Sequence, residues 1–107
     1  MDQTSAIIIF ITASSSEEAQ KIAKALVEEK LVACVNIIPQ IKSIYWWEGK
    51  VCKDDEVMLI SKTKQSLCTT IVDRVNALHS YEVPEIISFP ISEGSPEYLS
   101  WIENVTR

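Results

Sequence analysis

The stretch "SIYWWEGK", residues 43–50, reads as the end of a β-strand running into a tight turn at Gly49. Side chains alternate along a strand, so Tyr45 and Trp47 point to one face, and Ile44 and Trp46 to the other. Large apolar groups therefore occupy both faces. A small domain covers one of those faces with its own core, and the other needs a second cover.

Upstream, "LVACVNIIPQIKSIYWWEGK" (31–50) forms one long strand region interrupted by Pro39. Proline gives no N–H to a ladder, so a bulge, a bend or an edge position is expected there. Downstream, "KDD" (53–55) reads as part of the connection and "EVMLISKT" (56–63) as the return strand. "SAIIIFIT" (5–12) is a continuous β-branched run, as in a central strand buried on both faces. Ser15 and Glu18 match a capping box, and Ala19, Ile22, Ala23 and Leu26 follow on one helical face that ends near Lys30. A second helix carries Cys68, Ile71, Val72, Val75 and Leu78 on one side. "HSYEVPEIISFPI" (79–91) is a loop leading into a fourth strand, "EIISFPI". Gly94 and Ser95 precede Pro96, a favourable start for a short last helix with Tyr98, Leu99, Trp101 and Ile102 as its apolar positions.

The order β-α-β-β-α-β plus a short C-terminal helix predicts an α+β, ferredoxin-like fold with a four-stranded antiparallel sheet, residues 1–107 forming a single domain. Its two main helices cover one sheet face only. Burying three aromatics outside the subunit core contributes on the order of 10 kcal/mol, comparable with the whole stability of a domain, about 5–15 kcal/mol. Self-association is the simplest cover for the second face.

Composition narrows the partners. The chain has 107 residues, 47% of them hydrophobic, and 15 acidic against 10 basic side chains give a net charge of −5. An acidic surface argues against nucleic acid or anionic lipid as the main partner. The apolar run Ala6–Ile11 is too short for a signal or membrane-spanning segment. Cys34, Cys52 and Cys68 are odd in number without a C-x-x-C pair, so free thiols and a cytoplasmic location are expected. Cys34 and Cys68 read as core thiols, and Cys52 as the exposed one.

The one histidine, His79, has Tyr81, Glu82 and Glu85 close by in sequence. It reads either as a metal ligand or proton-transfer group, or more plainly as the C-terminal cap of the second helix. No H-E-x-x-H or C-x-x-C motif is present, so a metal site needs donors brought from elsewhere. Lys62 and Thr63 at the end of the return strand read as an anion site or as a solvated strand end. "KDDE" (53–56) reads as a solvated acidic loop. Neither a phosphate loop nor a hydrolase arrangement appears, so no enzyme and no organic cofactor is expected.

Taken together, "ACVNIIPQIKSIYWWEGK", "KT" at 62–63, "HSYEVPEIISFPI" and "YLSWI" at 98–102 resemble the CutA family of divalent-cation tolerance proteins, from about Ile7 to the C-terminus. The resemblance implies a tight homotrimer of the architecture shared with PII signalling proteins. Tyr45, Trp46, Trp47, Tyr98 and Trp101 would then lie at subunit junctions. It also implies a divalent-metal response, with copper binding through a cysteine ending the first strand and adjacent histidines before the "Y..PE" motif. Here Ile11 and Leu78 occupy the cysteine and first histidine positions, leaving His79, with Glu82, as the metal candidates. The alternative is a PII-like sensor holding a small molecule or anion in an intersubunit cleft near Lys62, Tyr81 and Glu85.

Overall fold

A computed structural model describes residues 5–107. Its elements are β1 (Ala6–Ala13), α1 (Ser16–Glu28), β2 (Cys34–Trp47), β3 (Lys50–Lys64), a short 3-10 turn, α2 (Cys68–Leu78), β4 (Ile86–Pro90) and α3 (Pro96–Val105). The strands form one antiparallel sheet in the order β2-β3-β1-β4, the α+β arrangement that the pattern of elements predicts.

Period two divides β1 between two environments. Ile7, Ile9, Ile11 and Ala13 join Val57 and Leu59 of β3 beneath Ile22 and Leu26 of α1 and Ile71 and Val75 of α2. Ile8 and Phe10 point the other way and remain half-buried, so β1 is closed on one face only within the subunit. On that outer face Phe10 meets Phe89 edge to face, with ring centroids 4.7 Å apart. Ile38, Ile87 and Phe89 are exposed there. An apolar stripe on this outer face runs across all four strands, through Ile38, Ile60, Phe10 and Ile87.

Ser15 caps α1 by accepting a hydrogen bond from the Glu18 N–H (3.1 Å). The Glu18 carboxylate does not complete the box on Ser15 and turns instead to Ser14 and to the turn after α2, as described below. At the other end of α1, Glu29 receives a two-pronged bond from Arg74 of α2, at 2.9 and 2.8 Å, which fixes the two helices to each other.

Pro39 breaks the β2–β3 register between Ile38 and Ile41, as its missing N–H requires. The return strand begins at Lys50, six residues before the expected start at Glu56, and "KDD" lies inside the ladder. The cause is the two-residue turn: Glu48 and Gly49 both have positive φ (50° and 79°), the geometry that matches strand twist and starts pairing at once. From Glu56 toward the turn no third strand pairs with the ladder among the described residues, and most side chains of this arm are exposed, so charges are tolerated. Lys42 pairs with Asp55 at 2.8 Å, and the Tyr45 hydroxyl donates to Asp54.

In α3, Ser95 accepts from the Tyr98 N–H, Pro96 takes the first turn, and Ile102 is the buried anchor. Tyr98 and Trp101 remain exposed, their rings in contact at a tilt of 42° with centroids 5.4 Å apart. Glu103 ties the helix to the sheet end through Ser5 (3.0 Å) and Lys64 (3.1 Å). All three cysteines are free and half-buried, so Cys52 is not distinguished by exposure. Cys34 lies 3.6 Å from the Tyr98 hydroxyl instead of being sealed in the core. Among the described residues no helix is long and apolar enough to cross a membrane.

Candidate functional site

The chain between α2 and β4 is held in place by one side chain. His79 ends α2, and its imidazole is wholly buried. Nε2 lies 2.6 Å from the Thr12 carbonyl, and Nδ1 accepts the Tyr81 N–H at 3.0 Å. A carbonyl needs a donor and an N–H needs an acceptor, so the pattern assigns the ring proton to Nε2. Glu18 supports the same turn from α1. Its Oε2 accepts the Ser80 N–H at 2.7 Å, and its Oε1 accepts both the N–H and the hydroxyl of Ser14, at 3.0 and 2.8 Å. Burial opposes charge on Glu18, but the Ser14 and Ser80 bonds outweigh it and pull the carboxyl down to about 2.

Fixing this turn directs Tyr81 back over the sheet. Its hydroxyl donates to Oε2 of Glu56 at 2.8 Å. Glu56, read both as the start of the return strand and as the end of the solvated "KDDE" stretch, is a strand residue but is only 9% exposed. It shares the face of Met58 and Ile60 and sits opposite Ile41, where the arm leaves the body of the sheet. Burial, and next the bond to Glu56, raise the Tyr81 hydroxyl well above the usual tyrosine range. Tyr45 is pushed up to about 12, chiefly by its bond to Asp54.

Between the arm and the 81–85 segment lies a cavity of about 760 Å³. Tyr45, Trp47 and Tyr81 supply aromatic walls, and Glu56, Glu82 and Glu85 supply carboxylates. The volume falls in the usual range for small-molecule sites, roughly 300–1,000 Å³.

The predicted site residues separate into groups. Tyr81, Glu82 and Glu85 line this cavity, with Tyr45 and Trp47 from the presumed junction set. His79 is the buried post behind it. Lys62 is elsewhere on the sheet, donating to Asn36. Trp46 points off the opposite side of the arm and is 73% exposed. Tyr98 and Trp101 form their pair on α3. Sequence reasoning missed Glu56, Glu18 and Thr12. The one signal for Glu56 was its place immediately before the apolar run "VMLI".

Among the described residues a divalent metal finds no ready donor set within this subunit. Both His79 nitrogens are engaged, Ile11 is fully buried in the core, and Leu78 packs against that core. Among the described residues no three His, Cys, Asp or Glu side chains are grouped closely enough to hold an ion.

Residues 7–105 match the family described as CutA1 divalent ion tolerance protein. The chain is 50% identical over 101 residues to Protein CutA, chloroplastic, of Arabidopsis thaliana, covering 94% of this chain and 56% of that protein. It therefore spans little more than half the length of that plant relative. It is also 50% identical over 99 residues to the divalent-cation tolerance protein CutA of Thermus thermophilus, covering 92% of this chain and 96% of the relative. The crystal structure of CutA1 from Oryza sativa superposes with a TM-score of 0.94 at 45% identity, over 98% of this chain and 96% of that one. With nearly the whole fold and half the residues shared, the chain belongs to the CutA1 divalent-ion tolerance family.

Proposed function

We propose that this protein is a homotrimeric, non-catalytic ligand-binding protein of the divalent-cation response, whose binding site is the cavity between the β2–β3 arm and the 81–85 segment. One observation carries the reading: a cavity of about 760 Å³ with mixed aromatic and carboxylate walls, beside a buried hydrogen-bond network that holds one wall in place. Catalysis is disfavoured by the state of the tyrosines. The hydroxyls of Tyr45 and Tyr81 are both committed to carboxylates and hold their protons more tightly than usual, which makes them poor proton-transfer groups near neutrality.

Self-association is supported by the apolar outer face, with Phe10, Ile38, Ile87 and Phe89 running across the sheet. The three-fold number rests on the family resemblance. Light scattering should give three times the 12.1 kDa subunit mass; a monomer at micromolar concentration would contradict the assembly. Free thiols at all three cysteines support a reducing, cytoplasmic setting.

Copper held by His79 is the competing expectation, and the engaged imidazole disfavours it. Thermal-shift screening with small organic ligands and with Cu(II) and Zn(II) separates the two. A ligand that stabilises the wild type and loses its effect in Trp47→Leu supports the cavity. Stabilisation by Cu(II) alone, removed by His79→Ala, would overturn it.

A further inference from the structure

We propose that the cavity selects a primary organic ammonium, an amine or short polyamine, over metal ions, anions and quaternary ammonium compounds. The inference rests on the cavity being the binding site and adds the chemistry of what enters it.

Size comes first. A space of about 760 Å³ is far larger than a metal ion, and no three donors converge in it, so its occupant is polyatomic. Charge comes next. Glu56, Glu82 and Glu85 line the cavity, whereas its one basic liner, Lys42, is already paired with Asp55 at 2.8 Å. An anion would meet uncompensated carboxylates, and a cation would meet complementary ones. The walls agree with the charge, because Tyr45, Trp47 and Tyr81 are the ring types that attract a cation through their π-faces.

Glu56 supplies the finer selection. The residue is 9% exposed and lines the cavity, its Oε2 takes the Tyr81 hydroxyl, and no protein donor reaches its Oε1 among the described residues. A carboxylate oxygen open to the cavity and free of a protein donor can accept a ligand N–H, and hydrogen bonds to a charged acceptor are among the stronger ones. A primary ammonium carries such donors as well as its charge. A quaternary ammonium carries charge alone.

Calorimetric titration of the intact, full-length assembly tests this with 1,5-diaminopentane and n-butylamine as probes. Tetramethylammonium serves as a cation with no hydrogen-bond donor, n-butanol as a neutral control, and inorganic phosphate as an anion. Saturable binding of the amines is expected, weakened about tenfold or more in Glu56→Gln, the fold-change of a lost charged hydrogen bond. Gln keeps an acceptor for Tyr81, and Trp47→Leu on the exposed arm provides a second variant whose loss of binding does not depend on Glu56. Lys62→Ala should bind as the wild type does. Equal binding of tetramethylammonium would overturn the N–H selection, and equal binding of n-butanol the cation selection. Amines that fail to bind while another small molecule binds and is lost in Trp47→Leu would overturn this inference and leave the cavity standing. Amine binding unchanged in both cavity variants would overturn both.

Discussion

The hydroxyl of Tyr81 donates to Oε2 of Glu56 across 2.8 Å, joining the segment after α2 to the point where the β2–β3 arm leaves the sheet. That one bond makes a cavity wall out of what would otherwise be a surface loop. Tyr81→Phe should cost about 1.5–3 kcal/mol in a chemical-unfolding measurement, the range for a hydrogen bond to a charged partner. The same bond should appear in the tyrosine titration. All three tyrosines are raised: Tyr81 first by burial, Tyr45 by Asp54, and Tyr98 by its contact with Cys34. Ultraviolet absorbance should therefore show little tyrosinate at the usual tyrosine pKa of about 10 in the native protein, and about half ionisation there once it is unfolded.

Glu18 gives the fold a defined acid sensitivity. Its folded-state carboxyl lies at about 2 against an ordinary 4.5. A lowered carboxyl stabilises the native state above its unfolded pKa, and that stability is lost as pH falls through the interval toward the folded value. Between roughly pH 4.5 and 2 the loss should approach roughly 3 kcal/mol. Glu18→Gln should be less stable at neutral pH and should flatten this part of the pH–stability curve.

Two hydroxyls two residues apart on β3 should respond in opposite senses. Ser61 is fully buried and its Oγ has no hydrogen-bond partner among the described residues. Thr63, equally buried, donates to the Leu31 carbonyl at 2.6 Å. Ser61→Ala should hold or raise the melting temperature. Thr63→Val should lower stability by about 1–3 kcal/mol, because a buried carbonyl loses its donor. Paired thermal melts check both.

His79→Ala should destabilise by about 2–4 kcal/mol, since it empties a buried site and leaves the Tyr81 N–H without its acceptor. With Cu(II), calorimetry should show no tight site that depends on the imidazole. Tight binding abolished in this variant would require the ring to leave Thr12 and would contradict the role assigned to it.

Much of the fold was legible because period-two and period-3.6 patterns are local. Ile7, Ile9 and Ile11 against Ile22 and Leu26 declare a core, and Pro39 declares its bulge. The early start of β3 was not legible, because Lys53, Asp54 and Asp55 carry loop composition. Their pairing is set by the positive φ of Glu48 and Gly49, on an arm whose side chains are mostly exposed. The candidate site was half legible. Tyr81, Glu82 and Glu85 are neighbours in sequence, but Glu56 and Glu18 reach them from 25 and 62 residues away, through Tyr81 and Ser80. His79 drew attention as the lone histidine. Its cap position at the end of α2 was the better guide to what it does.

The central claim is where a ligand binds, and mapping amide NMR shifts during a titration tests it most directly. The titrant is whichever compound or ion gives the largest thermal stabilisation. The shifts should gather at Tyr45, Trp47, Glu56 and residues 81–85, around the cavity. Shifts gathered instead around Lys62 and α3, with that cavity silent, would contradict it.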